Sequence, residues 1–135
     1  ALKKGGVIAI QDYNYEGLGL YPRGGAFDNV AEYIRSYYRA GGGDPYFISR
    51  IPSVFKKNHI RLEEYSPVGL AGDTRSPVFE WVNKFLTGHF NTLADLKIVT
   101  EKEIEDMKTD WEEHKKNPGT VLFSPIVVNV SGIKL

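Results

Sequence analysis

The chain contains no cysteine, which excludes a disulfide framework, a thiolate nucleophile and any cysteine-ligated metal. Its three histidines, His59, His89 and His114, share no ligand-like spacing, so no metal site is expected. An excess of one charge is lacking too: seventeen basic and seventeen acidic residues cancel, and no stripe of Lys or Arg stands out to draw in a phosphate backbone. Nucleic acid is therefore disfavoured as a partner. Long hydrophobic runs are also missing. Stretches such as Ile126-Val127-Val128 fall far short of the about 20 residues that span a bilayer, so no membrane partner is expected. Neither a signal peptide nor a lipidation pattern is visible, which makes the cytoplasm the expected compartment.

What is present suits one domain over residues 1–135. Hydrophobic residues make up 41% and charged residues 25% of the chain, values that match folded globular proteins and not disordered ones. A chain of this length removes roughly two-thirds of its unfolded surface from water, enough for a core without staples.

The first apolar run, Val7-Ile8-Ala9-Ile10, lies between Gly5-Gly6 and Asp12. It predicts a strand over 6–12, covered on both faces in a parallel or mixed sheet. A polar, glycine-rich stretch follows up to Gly25 and carries Tyr13, Tyr15 and Tyr21; its length marks it as a candidate binding loop. Phe27, Val30, Ile34, Tyr37 and Tyr38 recur at helical spacing until Gly41-Gly42-Gly43. A short helix through Ile48, Ile51 and Phe55 ends near Lys57-Asn58. Alternation from Ile60 to about Val68 predicts a strand, with Ile60, Leu62 and Glu64 on one side and Arg61, Glu63 and Tyr65 on the other. Gly69 to Asp73 reads as a loop.

Ser76-Pro77 is an N-cap followed by proline at the first helical position, leading into Val78, Trp81, Val82, Phe85 and Leu86. Thr100-Glu101-Lys102-Glu103 matches a capping box, with Ile104, Met107, Trp111 and His114 as the inner face of its helix. A final β segment runs from Val121 to Ile133, with Pro125 making the first part a lead-in and 126–132 the ladder. The expected order is strand, helix, helix, strand, helix, helix, strand. Three strands make a thin α/β layer, which hints at a part of something larger.

Three blocks of the chain resemble class I S-adenosylmethionine-dependent methyltransferases. "LKKGGVIAIQDYN" is similar to the family's turn into its fifth strand, with Lys4 where the family prefers proline. "GGDPYFISRIPSVFKKNHIRLEEYSPVG" resembles the following turn, helix and sixth strand. "IVTEKEIEDMKTDWEEHKKNPGTVLFSPIVVNVSGIK" resembles a late helix and the closing seventh strand. The glycine-rich loop after the first strand and the acid ending the second, which build the family's cofactor site, have no counterpart here. Gly41-Gly42-Gly43 follows a helix and does not replace them.

The resemblance implies the C-terminal, acceptor-side half of an α/β, Rossmann-like methyltransferase sheet. Its strands would lie in the order fifth, seventh, sixth, with the seventh antiparallel between the others and helices flanking them. S-adenosylmethionine would be the cofactor of the parent enzyme, bound mostly outside these residues, and the acceptor a small molecule. The open edge of the first strand would pair with another strand, as a dimer or with the other half.

The acceptor-pocket residues that the resemblance implies are Asp12, Tyr13 and Asn14 as a wall, with Tyr15, Tyr21 and Arg23 in the loop behind. Asp12 would orient the acceptor or act as a base; a strand-end acid capping backbone amides is the competing reading. Tyr13 and Tyr15 would meet a cationic or apolar substrate, or cover the core. Arg23 and Arg50 have the guanidinium fork that grips a carboxylate, or are solvated. Trp81 faces the pocket or packs with Phe85 and Trp111. His59 and His114 read as structural. A non-catalytic binding or assembly module using the 13–25 loop is the rival to the enzyme.

Overall fold

The computed structural model describes residues 2–135. Among them are four α-helices and two three-stranded antiparallel sheets. The strands are β1 (Val7–Asn14), β2 (Gly19–Tyr21), β3 (Ile60–Val68), β4 (Ala71–Asp73), β5 (Val121–Phe123) and β6 (Ile126–Lys134). The helices are α1 (Val30–Ala40), α2 (Phe47–Lys57), α3 (Pro77–Asp95) and α4 (Glu101–Lys116).

The larger sheet has the order β1-β6-β3, with β6 antiparallel to both neighbours. This is the order that the resemblance implies for its three strands. The smaller sheet, β2-β5-β4, was not expected: residues 13–25 and 69–73 read as loops, yet each contributes a three-residue strand. The two sheets keep one lateral order, because each long strand continues into a short one. The breaks fall at Tyr15–Leu18, Gly69–Leu70 and Ser124–Pro125. Pro125 has no N–H to donate and ends the ladder in the middle. The splice is made instead by Ser124, whose N donates to Leu70 O at 2.8 Å and whose hydroxyl accepts from Leu70 N at 3.1 Å.

β1 differs from its expected environment. It pairs antiparallel with β6 from Val7 opposite Ile133 to Asn14 opposite Ile126, and its residues alternate in exposure instead of being covered on both faces. Ile8 and Ile10 pack with Ile48, Ile51 and Phe55 of α2 and with Val128 and Val130. Val7 on the other face is 66% exposed. The strand also ends two residues beyond the expected 6–12, so Tyr13 and Asn14 join Asp12 in the ladder.

β3 carries a second correction. Its register shifts between Leu62 and Glu64, which leaves Glu63 as a bulge. Beyond the bulge the faces exchange: Tyr65 lies opposite Val130, towards α2, and Glu64 lies opposite Ser131 on the open face. The exchange has a use. Pro52 sits inside α2 and cannot donate to the Ile48 carbonyl one turn earlier; the Tyr65 hydroxyl donates to that oxygen at 3.4 Å.

The larger core lies between α1, α3, α4 and the small sheet, around Leu20, Phe27, Ile34, Leu86, Trp111 and Leu122. Both long helices start as their sequences predict. Ser76 accepts from Phe79 N at 3.2 Å. Thr100 N donates to Glu103 Oε2 at 2.8 Å while Thr100 Oγ1 accepts from Glu103 N at 3.2 Å, and the bond from the Thr100 amide holds the Glu103 carboxyl below its usual range. His59 closes α2 through its backbone, at φ 53.

Candidate functional site

The C-terminal end of β1 delivers Tyr13, and Tyr15 follows as the first residue of a 3-10 turn. Asn14 starts that turn by accepting from Glu16 N at 2.8 Å. α3 passes over them, and its one-turn spacing stacks Trp81 and Phe85 on one face. The Tyr13 ring lies 6.1 Å from Trp81 and 6.0 Å from Tyr15, and Tyr15 lies 6.4 Å from Phe85 in near-parallel stacking. With Val82 and Pro125 these rings line a small pocket of about 10 Å³.

Tyr15 is the anchor of the group, at 4% exposure. Its hydroxyl is 3.3 Å from that of Tyr38. Burial, and then the Tyr38 hydroxyl, push its pKa far above the ordinary 10.0, so Tyr15 keeps its proton and is no base. The sign of the stability effect follows. Above the ordinary tyrosine pKa the unfolded chain releases a proton that the folded chain retains, so stability falls as pH rises. The fall for this one group is up to about 1.4 kcal/mol per pH unit above about pH 10. In urea titrations repeated across that range, Tyr15→Phe should flatten the alkaline decline; an unchanged slope would show that the phenol is not held neutral by the fold.

Of the residues implied by the resemblance, the structure brings Tyr13, Tyr15 and Trp81 together. Asp12 and Asn14 share the ladder but face α2: Asp12 Oδ1 accepts from Tyr13 N at 2.8 Å, and Asn14 Nδ2 donates to Ser49 Oγ at 3.1 Å. Arg23 lines a different, open pocket of about 350 Å³ with Asp110, Glu113 and His114. There it pairs with Asp28 at 3.2 Å and lies over the Tyr21 ring at 4.9 Å. Arg50 pairs with Asp44.

Sequence reasoning left Phe85, Val82 and Pro125 out of the site. Phe85 is signalled by its four-residue spacing from Trp81; Pro125 reaches the pocket only through the break between β5 and β6. A buried polar tie also went unread. Asp110 Oδ2 accepts from Phe27 N at 2.8 Å, its Oδ1 is 3.6 Å from His114 Nε2, and His114 Nδ1 is 3.0 Å from Thr120 Oγ1. This tie fixes the 22–27 segment and the entry to β5 onto α4.

A nucleoside cofactor in a fold of this type needs a glycine-rich turn from strand to helix with free N–H groups. Gly24-Gly25, between β2 and the turn before α1, is the pair in such a place, and it is already filled. Gly24 N donates to Asp28 Oδ2 at 2.8 Å, and Asp110 presses so closely on Gly25 that a Cβ there would collide with its carboxylate. The described residues therefore do not fit S-adenosylmethionine. No group of three or more metal-ligating side chains occurs among them, and no helix among them is long and apolar enough to cross a membrane. Comparison of the chain with protein-family models and with curated proteins gave no match.

Proposed function

We propose that this chain supplies the acceptor-side part of a cytoplasmic, S-adenosylmethionine-dependent methyltransferase acting on a small molecule. The observation that carries the reading is the sheet order β1-β6-β3 with an antiparallel β6 in the middle, joined to the three sequence blocks that resemble the family. The aromatic pocket at the end of β1 stands where that reading needs an acceptor wall. Methyl transfer is an in-line displacement that depends on holding the acceptor and keeping water away. Tyr13, Trp81 and Phe85 supply apolar surface for both.

The cofactor belongs to residues other than these, because the Gly24-Gly25 turn is filled. The unpaired edge of β1 is the place where a further strand adds to the sheet, whether from the cofactor-binding half or from a second copy. A non-catalytic binding module remains the second reading, and the same filled turn favours it.

Calorimetry with S-adenosylmethionine separates the two. The 135-residue chain should give no binding heat and should self-associate in light scattering. A longer chain, translated from an open reading frame that continues upstream through a strand and a glycine-rich turn, should bind. A longer chain of that kind that also gives no binding heat overturns the enzyme.

A further inference from the structure

Four rings, those of Tyr13, Tyr15, Trp81 and Phe85, meet around the small pocket, and none of its six lining residues carries a charge. Two observations narrow what it takes. The free volume of about 10 Å³ is close to that of a single water, so a methyl group suits it and a flat aromatic ring does not. No Lys, Arg or His side chain is among the residues that line it. An aromatic ring attracts a cation that lies within about 6 Å of its centroid. Ring walls, no competing positive charge and a methyl-sized space together match one kind of ligand group.

We propose that the pocket receives an N-methyl group of a methylated ammonium, which makes methylated amines the ligand class of this site. The assignment rests on reading Tyr13, Tyr15 and Trp81 as the acceptor wall. It concerns binding and needs no cofactor. The rest of the head group lies outside the pocket mouth, over the rings of Tyr13 and Trp81.

Choline and 3,3-dimethylbutan-1-ol have the same shape and differ in charge. Each is titrated into the full chain and followed by tryptophan fluorescence. Trp111, at 1% exposure and stacked between Phe27 and Phe79, is a constant background, so Trp81 reports the pocket. Choline should bind about tenfold more tightly than the alcohol, within the range that cation–ring attraction supplies. Saturation transfer to the choline N-methyl protons reads the variants, in which the reporter is gone. Trp81→Leu should remove the preference for the charged ligand, and Trp81→Phe, which keeps a ring, should retain it.

Equal affinity for the two ligands overturns the proposal, and so does the absence of binding by either. Neither outcome touches the methyltransferase reading, which stands or falls on cofactor binding by the longer chain.

Discussion

Replacing Trp111 with alanine should cost the fold about 3–5 kcal/mol, a large part of the about 5–15 kcal/mol that holds a domain together. The indole is stacked between Phe27 at 4.9 Å and Phe79 at 4.8 Å, so its loss leaves two aromatic faces without a partner. It also joins three elements that are far apart in sequence: α4, α3 and the turn before α1. Its Nε1 donates to Asn83 Oδ1 at 2.8 Å. Trp111→Phe keeps most of the stacking and removes that bond, and should cost about 1–2 kcal/mol. Equilibrium urea unfolding of both variants checks the ordering. A Trp111→Ala protein with a midpoint near the parent's would mean that the core does not depend on this stack.

Gly132→Val should destabilise by about 3 kcal/mol, the upper part of the range for overpacking a filled core. Gly132 lies in β6, between Ile8 on one side and Leu62 on the other. A Cβ at this position would stand 2.6 Å from Phe55 Cε2, 2.7 Å from Ile60 Cγ2 and 2.8 Å from the Arg61 carbonyl oxygen. The last of these is backbone and cannot swing aside. The bulge at Glu63 follows this contact directly along β3. Gly132→Ala meets the same three atoms with fewer methyl groups and should cost less. A valine variant with unchanged thermal stability would show that α2 can lift from the sheet without loss.

The helices were the most legible part of the chain. Ser76-Pro77 and Thr100 to Glu103 mark their starts by local chemistry, and the caps form as the sequence leads one to expect. The three long strands were legible too, because four to nine residues of apolar pattern carry a signal. The small sheet was legible only in β5, which lies in the expected β segment from Val121. β2, β4 and β5 are three residues each, and glycine in two of them weakens any strand signal. The bulge in β3 was invisible for a different reason: a one-residue insertion shows only against the partner strand, so Tyr65 was placed on the wrong face.

The site divided along the same line. Tyr13, Tyr15 and Trp81 came together because each follows directly from a strand end or a helix face. Asp12 and Asn14 face α2 because they alternate with Tyr13 in the ladder, on the same face as Ile8 and Ile10. Arg23 lines another pocket because the segment that carries it folds onto α4 through Asp110.

The place of β6 in the chain bears on how the molecule is made. Val7 pairs with Ile133 and Ile60 with Lys134, so neither outer strand of the larger sheet has a hydrogen-bonded neighbour until the last of the six strands has been synthesised. α1, α3 and α4 can gather their core while the ribosome is still at work, but β1 must wait, apolar and without its β6 partner, while residues 15–125 are made. Pairings this distant in sequence are slow to form and leave strands open to wrong partners meanwhile. The nascent chain is thus exposed to misassembly chiefly along β1, and release from that hazard comes only with the segment from Ile126 onward.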